Sequence, residues 1–199
     1  SEPYRPGKLR EMSFANIISM VKEYRSLYGF YSDDLLGDYR RTIERLQKEQ
    51  RPAIEQQFSS FGNVLYSELH DFLNHGHEWI AAYDESLASV HGLDFTDLIC
   101  GVHRLFQDPV VRERWRSRYN YISVDEMQDT GVLEYKVLEM LWEGNHVLLC
   151  GDYFQTIYEW RGSDPFRLLK QFDADFKPLK IIFYENYRSN WTLFTMAFK

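Results

Sequence analysis

Cysteine is nearly absent, with only Cys100 and Cys150 among 199 residues. That scarcity excludes a disulfide scaffold and a cysteine zinc site, and points to a reduced, intracellular setting. Long apolar runs are missing too. No stretch approaches the roughly 20 residues of a membrane span, and the opening residues do not read as a secretory leader, so no membrane partner is expected. Positive charge is also scarce. With 23 Lys and Arg against 30 Asp and Glu, the formal charge is −7. Taken alone, that balance argues against a protein that grips nucleic acid through bulk positive charge. At 44% apolar and 27% charged residues, the chain is no disordered acidic tail either. Internal repeats and low-complexity tracts are likewise absent.

The charge that is present is uneven. No Lys or Arg occurs from Pro52 to His103, where eight acids stand. Two short basic runs flank this stretch: Arg40, Arg41, Arg45, Lys48 and Arg51 before it, and Arg104, Arg112, Arg114, Arg116 and Arg118 after it. Solvated helix faces of alternating sign are the plain explanation. His70, His75 and His77, with Asp71 and Glu78, match no trusted helical metal-ligand spacing and read as a solvated helix.

The first ninety or so residues have helical rhythm. Ile17, Ile18, Val21 and Tyr24 recur on one face, as do Leu65, Leu69, Phe72 and Leu73, then Trp79, Ile80, Tyr83 and Leu87. Pro52 predicts a break between helices, and Gly92 a left-handed C-terminal stop. Asp94 stands where an N-cap belongs, ahead of Leu98, Ile99, Val102, Leu105 and Phe106 on one face. Beyond about residue 118 the pattern alternates. Strands are expected at 119–124, 146–150 and 179–184, with helices at 130–142 and from Asp164-Pro165. A further helix from Ser189 or Asn190 looks cut short at Lys199, as in part of a longer polypeptide. Such alternation implies a parallel sheet, with ligands at the carboxyl ends of its strands.

Three loops fall at those ends. Asp125-Glu126 alone reads as an acid capping the next helix; its functional alternative is a nucleotide-hydrolysis pair, one carboxylate for Mg²⁺ and one for water. Gly151-Asp152 opens a second loop that carries Gln155, Tyr158, Trp160 and Arg161. A glutamine there can hydrogen-bond a terminal phosphate, and an exposed Trp beside an Arg suits a stacked base, although core packing is the plainer role of a lone aromatic pair. Asn186-Tyr187-Arg188-Ser189 forms the third, where an arginine alone is most simply a surface ion pair.

Together the loops are more telling. VDEMQDT, GDYFQTIYEWRGSDP and ENYRSN, in that order, resemble motifs II, III and IV of the UvrD/Rep-type superfamily 1 DNA helicases, and LDFTDLI at 93–99 and VRERWRSRYNYISVDE resemble the same family. The likeness is strong over about 93–190. It implies an α/β fold: part of a P-loop (RecA-like) ATPase domain with a parallel sheet over 93–199, plus a helical subdomain over 1–92 like the family's inserted one. It further implies that Asp125 serves Mg²⁺, Glu126 is the catalytic base, Gln128 links the ATP site to DNA, and Gln155 senses the γ-phosphate. Tyr158, Trp160 and Arg161 would contact single-stranded DNA, Tyr187 would lie near the adenine, and Arg188 would meet the γ-phosphate. Met127, Thr156 and Tyr153-Phe154 are mild departures from the family pattern.

One departure is larger. No G-x-x-x-x-G-K-[ST] occurs; the nearest approach is Gly7-Lys8, followed by Leu9. Two explanations stand side by side. In the first, the phosphate loop precedes Ser1 in a parent that also holds a second motor domain. That parent would be an ATP-dependent DNA helicase acting on single-stranded or partly duplex DNA, cytoplasmic and nucleoid-associated rather than nuclear, and this chain alone would be inactive. In the second, the chain is a non-catalytic helicase-like module that binds DNA or protein.

Overall fold

The computed structural model describes residues 6–60, 63–64, 66–156, 165–185, 187 and 196. The chain divides into two compact units, Ser1–Leu168 and Leu169–Lys199.

In the first unit, α1 (Pro6–Leu27), α2 (Leu35–Glu49), α3 (Arg51–Gln57) and α4 (Tyr66–Ser89) enclose one apolar core, and a two-residue antiparallel pair, β1 (Ser59–Ser60) and β2 (Asn63–Val64), lies between α3 and α4. The helical periodicity shows directly in that core. Ile17, Ile18 and Val21 of α1 meet Tyr39, Ile43 and Leu46 of α2, Ile54 of α3, and Leu69, Phe72, Ile80 and Ala81 of α4. Pro52 sits in the first turn of α3, where its missing N–H costs nothing, so the break falls just before it. Trp79 was expected inward but stays 39% exposed, covered on one side by Phe14.

The stop after α4 differs from the expectation in one residue. His91, not Gly92, takes the left-handed conformation, at φ 52°. Gly92 N–H then donates to Leu87 O at 2.8 Å and His91 N–H to Ala88 O at 3.0 Å, the paired bonds of a Schellman ending. The glycine is the residue after the turn.

Next come α5 (Phe95–Leu105) and α6 (Pro109–Arg116). Asp94 caps α5 as expected: its carboxylate accepts from Asp97 N–H, and the Asp97 carboxylate accepts from Asp94 N–H. Leu98 and Leu105, expected on the inward face, remain exposed. Asp108 caps α6 in the same manner, ahead of Pro109.

The sheet is β3 (Tyr121–Val124) beside β4 (His146–Leu149), parallel, with Tyr121 opposite His146 and Val124 opposite Leu149. The crossover is α7 (Val132–Trp142), whose Leu133, Tyr135 and Trp142 are buried. Between the strands and the loops that follow, the ladder continues: Cys150 N–H donates to Val124 O at 2.8 Å and Met127 N–H to Cys150 O at 2.9 Å.

Helix α8 (Pro165–Phe176) is followed by Lys177, which has φ 46°. The third expected strand is not formed. Leu179, Ile181, Ile182, Phe183 and Tyr184 are exposed and have no regular structure. A strand exists only through a neighbour that satisfies its backbone N–H and C=O groups, and no described residue pairs with this run. Apolar, β-branched composition alone does not supply that neighbour. No helix among the described residues is long and apolar enough to cross a membrane.

Candidate nucleotide site at the carboxyl ends of the strands

The two strands are parallel, so the loops that follow them, with Asp125-Glu126 after β3 and Asp152 after β4, leave the same end of the pair. Past β3, Asp125 and Glu126 are exposed, while Met127 and Gln128 turn inward on a short 3-10 turn, Met127–Asp129. Past β4, Asp152 opens a second 3-10 turn, Tyr153–Gln155, and caps it by accepting from Phe154 N–H at 3.0 Å.

Glu126 adopts φ 51° and ψ 40°, the left-handed region that a side chain normally avoids. Such a conformation costs roughly 1–3 kcal/mol and persists only where its surroundings fix it. Here they do. Asp125 Oδ1 accepts from Glu126 N–H at 2.9 Å, Met127 N–H is tied to Cys150 O, and Gln128 Nε2 donates to Glu126 Oε2 at 2.6 Å.

Gln128 is the hub of the site. It is only 2% exposed, and its Oε1 accepts from Asp152 N–H at 3.0 Å. A carboxylate can only accept and a backbone N–H can only donate, so the two partners fix the direction of the amide without ambiguity. Asp152 carries the chain onward, since its Oδ2 accepts from Gln155 Nε2 at 2.8 Å. Glu126, Gln128, Asp152 and Gln155 are thereby joined across the two loops.

The structure thus brings together four residues expected from the sequence, Asp125, Glu126, Gln128 and Gln155, and gives contacts to Gly151 and Asp152, which the sequence marked only as the opening of the second loop. The Gly-Asp pair closing an apolar strand was the available signal. Tyr187, in the second unit, is 87% exposed and donates to Glu185, whose carboxylate raises the phenol above its ordinary pKa. Tyr158, Trp160, Arg161 and Arg188 lie outside the described residues.

The donor set fits a hard cation. Asp125 offers an exposed carboxylate whose Oδ2 has no hydrogen bond among the described residues, and Mg²⁺ needs only one or two such groups beside phosphate and water. No group of three or more His, Cys, Asp or Glu that could hold a metal by itself occurs among the described residues, and of the α4 histidines expected on a solvated helix His70 and His75 are exposed whereas His77 is buried.

Comparison with known proteins is consistent with this geometry. The family model for the UvrD/REP helicase N-terminal domain matches residues 10–177. A probable DNA helicase II homolog of Mycoplasma capricolum is 38% identical over 109 residues, which is 54% of this chain and 15% of that protein. DNA helicase II of Haemophilus influenzae is 35% identical over 125 residues, 60% of this chain and 17% of that protein. The ATP-dependent DNA helicase PcrA of Staphylococcus aureus is 37% identical over 120 residues, 59% of this chain and 16% of its own length. The matched stretch is therefore under a fifth of each of these relatives. The chain belongs to the family of the UvrD/REP helicase N-terminal domain.

Proposed function

We propose that this chain is the part of an ATP-driven DNA motor that prepares water for attack on a γ-phosphate, in a parent that travels along single-stranded DNA and unwinds duplex. The observation that carries the reading is the hydrogen-bonded set Glu126–Gln128–Asp152–Gln155 beside the open carboxylate of Asp125. Phosphoryl transfer asks little covalent chemistry of a protein. It asks for position and for charge stabilisation.

Each residue has a role in that scheme. Glu126, held in one orientation by Gln128, accepts the proton of the attacking water. Gln155, held by Asp152, contacts that water or the γ-phosphate. Asp125 would hold Mg²⁺, which when bound would supply charge neutralisation to the phosphates. Arg188 stabilises charge on the transferring group and Tyr187 lies near the adenine. Trp160 stacks on a DNA base, with Tyr158 and Arg161 beside it.

The phosphate loop and a second motor domain belong to the remainder of the parent, which we assign to the cytoplasm and its nucleoid. Residues 1–92 are its inserted-type helical subdomain and 93–199 part of its first RecA-like domain. The test is DNA-stimulated ATP hydrolysis by the intact parent and by this chain alone. Hydrolysis by the parent and none by the chain supports the reading. Absence of hydrolysis in a parent that still binds DNA favours a non-catalytic module.

A further inference from the structure

Gly151 stands two residues past β4, after Cys150, and lies beside Met127 and Gln128 of the first loop. A Cβ at this position would lie 2.5 Å from Gln128 Oε1, 3.2 Å from Met127 N and 3.3 Å from Gln128 N. Its backbone does not require glycine for conformation, since Gly151 is not among the residues with positive φ. The need is for space. Gln128 Oε1 occupies the volume that any side chain at 151 would take, and Gln128 is too deeply buried to swing aside freely.

We infer that Gly151 is a positioning residue: it provides the seat in which the Gln128 amide rests, and through that amide it holds the Glu126 carboxylate in place. This rests on the proposed role of Glu126 in ATP hydrolysis and adds a determinant on the opposite strand. The chain of cause is short. With Gly151 in place, Gln128 Oε1 reaches Asp152 N–H and Nε2 reaches Glu126 Oε2. With a methyl group there, Oε1 must move, the amide tilts, and both bonds lengthen together. Glu126 then loses the one described side chain that restrains its carboxylate. The left-handed backbone of Glu126, which depends on the same packing, is freed as well.

The experiment is a double-mutant cycle in the intact parent, with Gly151→Ala and Gln128→Ala alone and combined. We expect Gly151→Ala to lower kcat for ATP at least tenfold while KM for ATP stays within twofold. In the Gln128→Ala background the same substitution changes kcat by less than twofold, because the residue through which it acts is gone. Equal losses in both backgrounds, or none in the unmodified protein, overturn the inference. Gln128→Ala leaves the backbone untouched and guards against a folding defect in the glycine variant; wild-type kcat in Gln128→Ala also overturns it. Amide hydrogen exchange at Asp152 in the present chain reads the seat without any hydrolysis. It should quicken at least tenfold in both single variants, and unchanged exchange in Gly151→Ala counts against the seat. Glu126→Gln separates the two levels. Retained hydrolysis there defeats the functional reading, whereas loss there with no effect of Gly151→Ala defeats only the positioning role.

Discussion

Lys22 Nζ donates to Asp94 Oδ2 at 2.8 Å, tying the C-terminal part of α1 to the residue that caps α5. The Lys22 side chain is 3% exposed and its ammonium also meets Asp84 Oδ1 at 2.9 Å and Asp97 Oδ1 at 2.5 Å, so one cation holds α1, the end of α4 and the start of α5. Tyr39 and Tyr83 complete the set, donating to Asp84 and Asp94. Burial alone would lower the Lys22 pKa, but the three carboxylates outweigh it and raise it.

Removing that cation leaves buried carboxylates uncompensated. Lys22→Met should therefore destabilise the chain by roughly 3–5 kcal/mol, the usual cost of breaking a buried pair. Urea unfolding measures it. A loss below about 1 kcal/mol, the scale of an exposed pair, would mean that the junction is held by its apolar contacts.

Mild acid should weaken the fold through two histidines. Burial lowers the pKa of His103, whose Nδ1 lies 2.9 Å from Ser26 Oγ; burial and then the Arg40 guanidinium lower that of His77. For a histidine whose folded pKa is depressed, stability is complete above the unfolded value near 6.5 and falls as pH drops through it. Thermal melts at pH 7.5 and 5.5 should differ, and His103→Asn should narrow the difference. An unchanged difference would assign the effect elsewhere.

Lower pH should remove a second contribution. Burial would raise Asp94 and Asp38, but the Lys22 hydrogen bond on Asp94, and the Ser32 and Arg41 hydrogen bonds on Asp38, lower both. A depressed carboxylate stabilises above its unfolded pKa, near 3.9, and that stability is lost as pH falls through the folded value. A steep loss below about pH 4 is expected, and it should be shallower in Asp38→Asn.

The two thiols should differ sharply. Burial pushes the Cys100 thiol up to about 12, while Cys150 is exposed. A disulfide reagent at neutral pH should modify Cys150 alone in the native chain and both after denaturation. Native modification of both thiols would contradict the packing of α5 against α1.

Much of this organisation was legible in the sequence, and what escaped has physical reasons. The Asp94 cap and the β3 and β4 strands could be read because their signals are local: an acid just ahead of a helical apolar face, and short apolar runs followed by acids. The Lys22 cluster could not, because its partner Asp94 lies 72 positions away and nothing near Lys22 marks it as buried. Residues 179–184 show the reverse failure, a strand-like composition without a pairing partner. Gln128 was singled out as a link between sites, yet the form of that link, and its dependence on Gly151, required coordinates.

Trp160→Ala in the intact parent should weaken single-stranded DNA binding by about 1–3 kcal/mol, the worth of one stacked base. Fluorescence anisotropy with a short oligonucleotide measures it. Unaltered affinity would remove Trp160 from the proposed DNA contact.

The most direct measurement is steady-state ATP hydrolysis by the intact parent with saturating single-stranded DNA, comparing the unmodified protein with Glu126→Gln. We predict a fall in kcat of about a hundredfold or more, with ATP binding retained, since the general base is lost while the phosphate contacts remain. Hydrolysis within twofold of the unmodified rate would contradict the assignment of Glu126 and, with it, the motor reading of this chain.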